Sequence, residues 1–226
     1  MPVECAVRLA VDAGTVIDGD LIVPDDATGI VVFAHGCGSG RHSPRNRQVA
    51  KSLQRQGLAT LLVDLLTPDE ERLDDRTGRL RFDIDLLASR LAGAAAWVEN
   101  EPATGSLPVG YFGASTGAGA ALVAAAQYPA RVAAVVSRGG RPDLAGENLV
   151  AVEAPTLLIV GGRDEVVLEL NHWALDRLKV ERELVVVPGA THLFEEPGAL
   201  EEVARLAGDW FLRYLEVAEP ADTTGP

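Results

Sequence analysis

The chain is poor in cysteine, with only Cys5 and Cys37 in 226 residues. The two lie in different elements, form no C-x-x-C pair and have no Cys/His companions at zinc-binding spacing, which excludes a disulfide scaffold and a structural metal site. A reduced cytoplasmic setting is the simplest account. Basic residues are also scarce: twenty Lys and Arg face thirty-three Asp and Glu, for a formal charge of −13 and a pI near 4.7. That balance repels phosphate backbones and anionic lipid surfaces, so neither nucleic acid nor a membrane is expected as a partner. No apolar run approaches the ~20 residues needed to span a bilayer. Met1 to Ala6 lacks the basic start and apolar block of an export signal. A soluble, unexported protein is expected. Internal repeats and low-complexity blocks are missing as well.

What is present is ordinary globular material, 47% hydrophobic and 23% charged, too apolar for an extended disordered chain. The length suits one large α/β domain able to bury a core without staples. That domain is expected over residues 1–218, with Glu219 to Pro226 a loose polar tail.

Val3 to Leu9 and Thr15 to Val23 read as an antiparallel pair around Asp12-Ala-Gly14. Strands and helices then alternate. Apolar strands are predicted at Ile30–Ala34, Ala59–Leu65, Pro108–Phe112, Val132–Ser137, Thr156–Val160 and Glu183–Val187. Helices are predicted at Pro44–Gln56, Phe82–Asn100, Ser115–Tyr128, Val167–Leu178 and from Ala199 to about Val217. Such alternation implies a mostly parallel sheet covered on both faces. Thr67 to Arg81 reads as an irregular charged segment, either a solvated loop or a flap over a cleft. The short stretch between Ser137 and Thr156 leaves no room for a large lid domain.

Val109 to Leu122 carries the sharpest signal. Gly113-Ala-Ser115-Thr-Gly117 spells G-x-S-x-G between an apolar strand and an alanine-rich helix, where glycines remove Cβ atoms that would collide in a strained nucleophile elbow. A serine hydroxyl is a weak nucleophile and needs a base beside it and amide donors for the oxyanion.

In open parallel sheets, ligands bind at the carboxyl ends of the strands. His35-Gly-Cys37-Gly-Ser-Gly40 follows one strand; its Cys37 amide, with the Thr116 amide, is the expected oxyanion pair. His35 is expected to brace this loop and Cys37 to be a small buried thiol rather than a nucleophile. Gly161-Gly-Arg-Asp164 follows another strand and supplies the expected acid, Asp164, with Glu165 as its neighbour. Pro188-Gly-Ala-Thr-His192 follows the last and supplies the base, His192, while His42 and His172 read as surface or packing residues. A fourth end, Ser137-Arg138-Gly-Gly-Arg141, can either select an anionic substrate or pair with nearby acids.

With these residues in place the chain resembles the α/β-hydrolase superfamily, and within it the small, lidless dienelactone-hydrolase-like group. The resemblance runs from Ile30 to Leu215 and rests on His35-Gly36, the Gly113–Gly117 elbow, Asp164 and His192 in that order. It implies hydrolysis of an ester-like bond of a small molecule through an acyl-enzyme, with no metal or organic cofactor. One departure is Ser115, since dienelactone hydrolase proper has cysteine at the elbow. A thioesterase or acyltransferase using the same triad, and a non-catalytic binding protein on this fold, are the alternatives.

Overall fold

A computed structural model describes residues 3–215; the expected polar tail and the last residues of the predicted final helix lie outside them. Eight strands form one sheet: β1 (Val3–Ala10), β2 (Val16–Val23), β3 (Gly29–Ala34), β4 (Leu58–Val63), β5 (Val109–Ala114), β6 (Ala134–Arg138), β7 (Thr156–Gly161) and β8 (Arg182–Val187). Their order is β1-β2-β4-β3-β5-β6-β7-β8. β1 and β2 pair antiparallel, β2 meets β4 antiparallel, and the remaining pairs are parallel. This is the mostly parallel sheet expected from the alternation, in the α/β-hydrolase fold that the resemblance implies.

The helices are α1 (Pro44–Arg55), α2 (Pro68–Thr77), α3 (Ile84–Asn100), α4 (Thr116–Gln127), α5 (Glu165–Leu175) and α6 (Ala199–Tyr214). Side-chain alternation along the strands sorts the core onto two faces. Ile30, Val32, Val109, Tyr111 and Val135 pack with α3 and α4, whereas Val31, Phe33, Phe112, Val136 and Ile159 pack with α1 and α6. The period of two in a strand dictates this division. β3, β5 and β7 are buried along their whole length, which is why they read as continuous apolar runs. Phe33 and Phe112 stand opposite in register, with ring centroids 4.8 Å apart.

One expectation fails. The segment Thr67 to Arg81 is not irregular: Pro68 to Thr77 forms α2. Thr67 and Glu70 make a reciprocal capping box, Pro68 stands in the first turn, and Gly78 closes the helix at φ 62°. Its ten residues include a single large apolar one, Leu73, so no apolar periodicity announced it. Asp74 is buried, accepts the Leu80 and Arg81 amides and pairs with the Arg81 side chain, which folds the end of the segment back onto the helix. Between β6 and β7 there is only a short 3-10 stretch, Pro142–Ala151, and no lid.

Candidate active site

β5 delivers Ser115 to the carboxyl end of the sheet, three strands in from the parallel edge strand β8. Ser115 sits at φ 51°, ψ −123°, a conformation that costs energy for any L residue and clusters at functional positions. The surrounding hydrogen bonds hold it there: its N–H donates to the Arg138 carbonyl at 3.3 Å, and its own carbonyl accepts from Ala118 and Arg141 at 3.1 and 3.0 Å. The elbow glycines are required sterically. A Cβ at Gly113 would lie 2.8 Å from the Ala118 nitrogen, and one at Gly117 would strike the Ala34 and His35 carbonyls. A Cβ at Gly36 would lie 2.9 Å from the Ser115 Cβ, so the loop after β3 also approaches the serine closely.

The loop after β7 and the loop after β8 meet beside it. His192 Nδ1 is 2.6 Å from Asp164 Oδ2, the length of a charge-assisted bond in which Nδ1–H donates to the carboxylate. Asp164 is the N-cap residue of α5, so the helix begins at Glu165 rather than at the predicted Val167. Gly161 lacks a Cβ where the Ala190 and Thr191 carbonyls cross over it, which lets the histidine loop lie against β7. The Thr191 N–H donates to Glu196 Oε2 at 3.1 Å. Phe194, buried, is the other described non-glycine residue at positive φ, 55°. Both such residues therefore flank this site.

Ser115 and His192 line one cavity of about 240 Å³ together with Gly36, Cys37, Ser43, Arg45, Asn46 and Arg138. Asp164 stands behind the imidazole, mostly shielded, while the histidine side chain is 39% exposed. Thr116 is the first residue of α4, so its N–H belongs to the first-turn donors that have no intrahelical acceptor. Cys37 lies in the tight turn closed by the Ser39 N–H on the Gly36 carbonyl at 3.3 Å, and both Cys37 and Thr116 edge a second, smaller cavity of about 40 Å³ under Arg81.

His35 behaves as a brace. Its Nε2 accepts the Leu65 N–H at 3.1 Å and its Nδ1–H donates to the Gly36 carbonyl at 3.0 Å, an arrangement that requires the neutral ring. Burial lowers its pKa, against weaker opposing contributions from the Gly36 carbonyl and Asp64. Cys37 is exposed, contrary to the buried thiol expected; its Sγ lies 3.3 Å from Thr116 Oγ1 and 3.5 Å from the Arg81 carbonyl. The loop is too shallow at that point to enclose it. His42 is exposed and bonded to Arg47, and His172 lies exposed on α5; neither approaches Ser115.

The two arginines at the end of β6 and just beyond it part company. Arg141 forks onto Asp143, with both bonds at 2.8 Å. Arg138 is buried, and its guanidinium reaches Asn46 Oδ1 at 3.4 Å and the Phe194 ring at 5.9 Å. The presence of Ser43, Arg45 and Asn46 in the cavity was not foreseen. Ser43-Pro44 is a legible helix start, but that α1 aims this start at Ser115 is a tertiary fact.

A sequence profile of the dienelactone hydrolase family matches residues 17–219. The chain belongs to the dienelactone hydrolase family. The crystal structure of a dienelactone hydrolase from Anabaena variabilis ATCC 29413 shares 60% identity, covers 95% of this chain and 99% of its own, and superposes with a TM-score of 0.93. Est1E from Butyrivibrio proteoclasticus, at 16% identity and TM-score 0.77 over 92% of this chain and 98% of its own, shares the fold. Two Mycobacterium tuberculosis proteins, from strains CDC 1551 / Oshkosh and H37Rv, are each 64% identical over 209 residues, 92% of this chain, and bear the name "Putative phosphoribosyl transferase". The chain spans about half the length of these curated relatives, 46%. Among the described residues no helix is long and apolar enough to cross a membrane, and no group of three or more His, Cys, Asp and Glu side chains is arranged to hold a metal ion.

Proposed function

We propose that this member of a hydrolase family cleaves a carboxylic ester of a small molecule through an acyl-enzyme on Ser115. The observation that carries the reading is the 2.6 Å contact of His192 Nδ1 with Asp164 Oδ2 in a cavity wall that His192 shares with the strained Ser115. His192 Nε2 takes the Ser115 proton as Oγ attacks the carbonyl carbon. Asp164 fixes the tautomer and stabilises the imidazolium. The Cys37 and Thr116 amides receive the negative charge on the carbonyl oxygen. Collapse of the tetrahedral intermediate expels the alcohol, which takes the proton from His192. A water molecule, deprotonated by the same imidazole, then attacks the acyl-enzyme and releases the acid.

Serine rather than cysteine at the elbow directs the reading to esterase chemistry and away from the cysteine-dependent reaction of dienelactone hydrolase proper. The phosphoribosyl transferase name belongs to relatives about twice as long, and the part of them that matches this chain is the hydrolase-family part. A cytoplasmic setting suits the two free thiols, Cys5 and Cys37.

The test is the Ser115→Ala protein. Hydrolysis of p-nitrophenyl acetate is expected to fall to background, with the circular dichroism spectrum and urea midpoint of wild type retained. A fluorophosphonate is expected to label wild type at Ser115. Turnover surviving in the variant would sink the assignment.

A further inference from the structure

Arg138 breaks a rule that the other buried arginine of this chain obeys. Arg90, equally buried, pairs with Asp12 and Glu70. Arg138 is 7% exposed, yet among the described residues no carboxylate lies within ion-pair distance of it. Its Nε has no hydrogen-bond partner, and its one acceptor is the neutral Asn46 amide at 3.4 Å. A buried cation without a counter-charge is costly. In a chain this acidic, none of the described carboxylates stands there.

A second cation lies beside it. Arg45 lines the same cavity, and its Nε too is buried without a partner. Its Nη1 reaches Glu195 at 3.3 Å, in a pair whose acid is 64% exposed, a geometry of little worth. Burial, and then the charge of Arg45, lower the Arg138 pKa to about 10, which leaves it cationic at neutral pH. Arg45 stands in the first turn of α1, capped by Ser43 and free of acidic residues. The positive end of that helix dipole therefore faces the cavity wall as well.

We propose that Arg138, Arg45 and the N-terminus of α1 form an anion subsite that seats a phosphate group of the ester substrate beside Ser115. Two guanidinium groups and a helix end, supplied by the end of β6 and the start of α1, converge on one cavity. A tetrahedral dianion offers three oxygens and two charges to such a set, where a planar carboxylate satisfies a single guanidinium fork. Asn46 and the Phe194 ring hold the Arg138 side chain against the wall. That an ester substrate carries the phosphate rests on the esterase reading, but binding of the anion beside Ser115 does not.

The experiment is therefore a binding one, made on the Ser115→Ala protein. Titration with inorganic phosphate at low ionic strength, followed by calorimetry, is expected to give saturable one-to-one binding. Adding Arg138→Gln is expected to weaken it at least about tenfold, the loss of one charge-assisted contact. Adding Arg45→Gln, at a position already partly in solvent, is expected to weaken it severalfold and supplies the test if the Arg138 variant does not fold. Succinate is the carboxylate comparator and is expected to bind more weakly than phosphate. No saturable phosphate binding, binding indifferent to both arginine substitutions, or succinate binding more tightly than phosphate would each overturn the proposal.

Discussion

His192 Nδ1 lies 2.6 Å from Asp164 Oδ2, two side chains 28 residues apart in the chain that meet only because β7 and β8 run parallel and end side by side. Substituting Asp164→Asn keeps the size of the side chain but turns an acceptor into a group that can present N–H to the imidazole. The ring is then free to take the wrong tautomer. We expect p-nitrophenyl acetate turnover to drop by on the order of 10³- to 10⁴-fold, with an unfolding midpoint close to wild type. Steady-state kinetics beside a urea titration check this, and a loss under tenfold would exclude Asp164 as the orienting acid.

Cys37 offers a chemical probe of which residue attacks. Its thiol is exposed and lies 3.3 Å from Thr116 Oγ1, so an added maleimide ring would crowd the turn that carries the proposed oxyanion amide. Treatment with N-ethylmaleimide is expected to inhibit, with mass spectrometry finding the adduct on Cys37. The Cys37→Ala protein is expected to resist the reagent and to keep turnover within about tenfold of wild type, because the amide and not the thiol is used. Background-level turnover in that variant, with its fold intact, would move the nucleophile from Ser115 to Cys37.

His35 makes stability depend on pH in a defined window. Its pKa is lowered in the folded protein, chiefly by burial, so the unfolded chain binds the proton more readily. Stability then rises with pH wherever that difference operates. The contribution is fully present above the unfolded histidine pKa, ~6.5, and is lost as pH falls from there toward the folded value. Urea midpoints of wild type are expected to fall between pH 7 and pH 5. His35→Gln, whose side-chain oxygen can still accept the Leu65 N–H, is expected to flatten that slope. Equal slopes in the two proteins would show that the ring is not held neutral.

The legibility of this chain varies with how local each requirement is. The elbow is spelled in five residues because every clash it avoids falls on the turn itself: a Cβ at Gly113 would meet Gly117 and Ala118, close by in sequence, and one at Gly117 the Ala34 and His35 carbonyls that the neighbouring strand β3 brings alongside. The buried strands were equally plain, since burial on both faces forces a continuous apolar run. α2 was written in the sequence in a different alphabet: Thr67-Pro-Asp-Glu70 is a capping box with proline in the first turn, but a solvated helix with one large apolar residue carries no amphipathic period to find. Strand ends shifted by a residue or two. β6 runs to Arg138 rather than stopping at Ser137.

The sequence by itself determined the sheet, the glycine-flanked turn at Ser115 and the order Ser115, Asp164, His192 along the chain, because burial on both faces of a strand and the crowding of a tight turn each dictate residue type. Tertiary structure decided what surrounds them. Only the parallel register of β5, β6, β7 and β8 brings Ser115, Arg138, Asp164 and His192 to one rim, and only packing across the sheet turns the start of α1 toward that rim. Arg138 and Arg141 stand three residues apart, at the end of β6 and just beyond it, and look alike in the sequence. One finds Asp143 two residues on; the other is buried beside Asn46, 92 positions away. Whether a charge has a partner is fixed by what the fold places around it, and no local pattern records that.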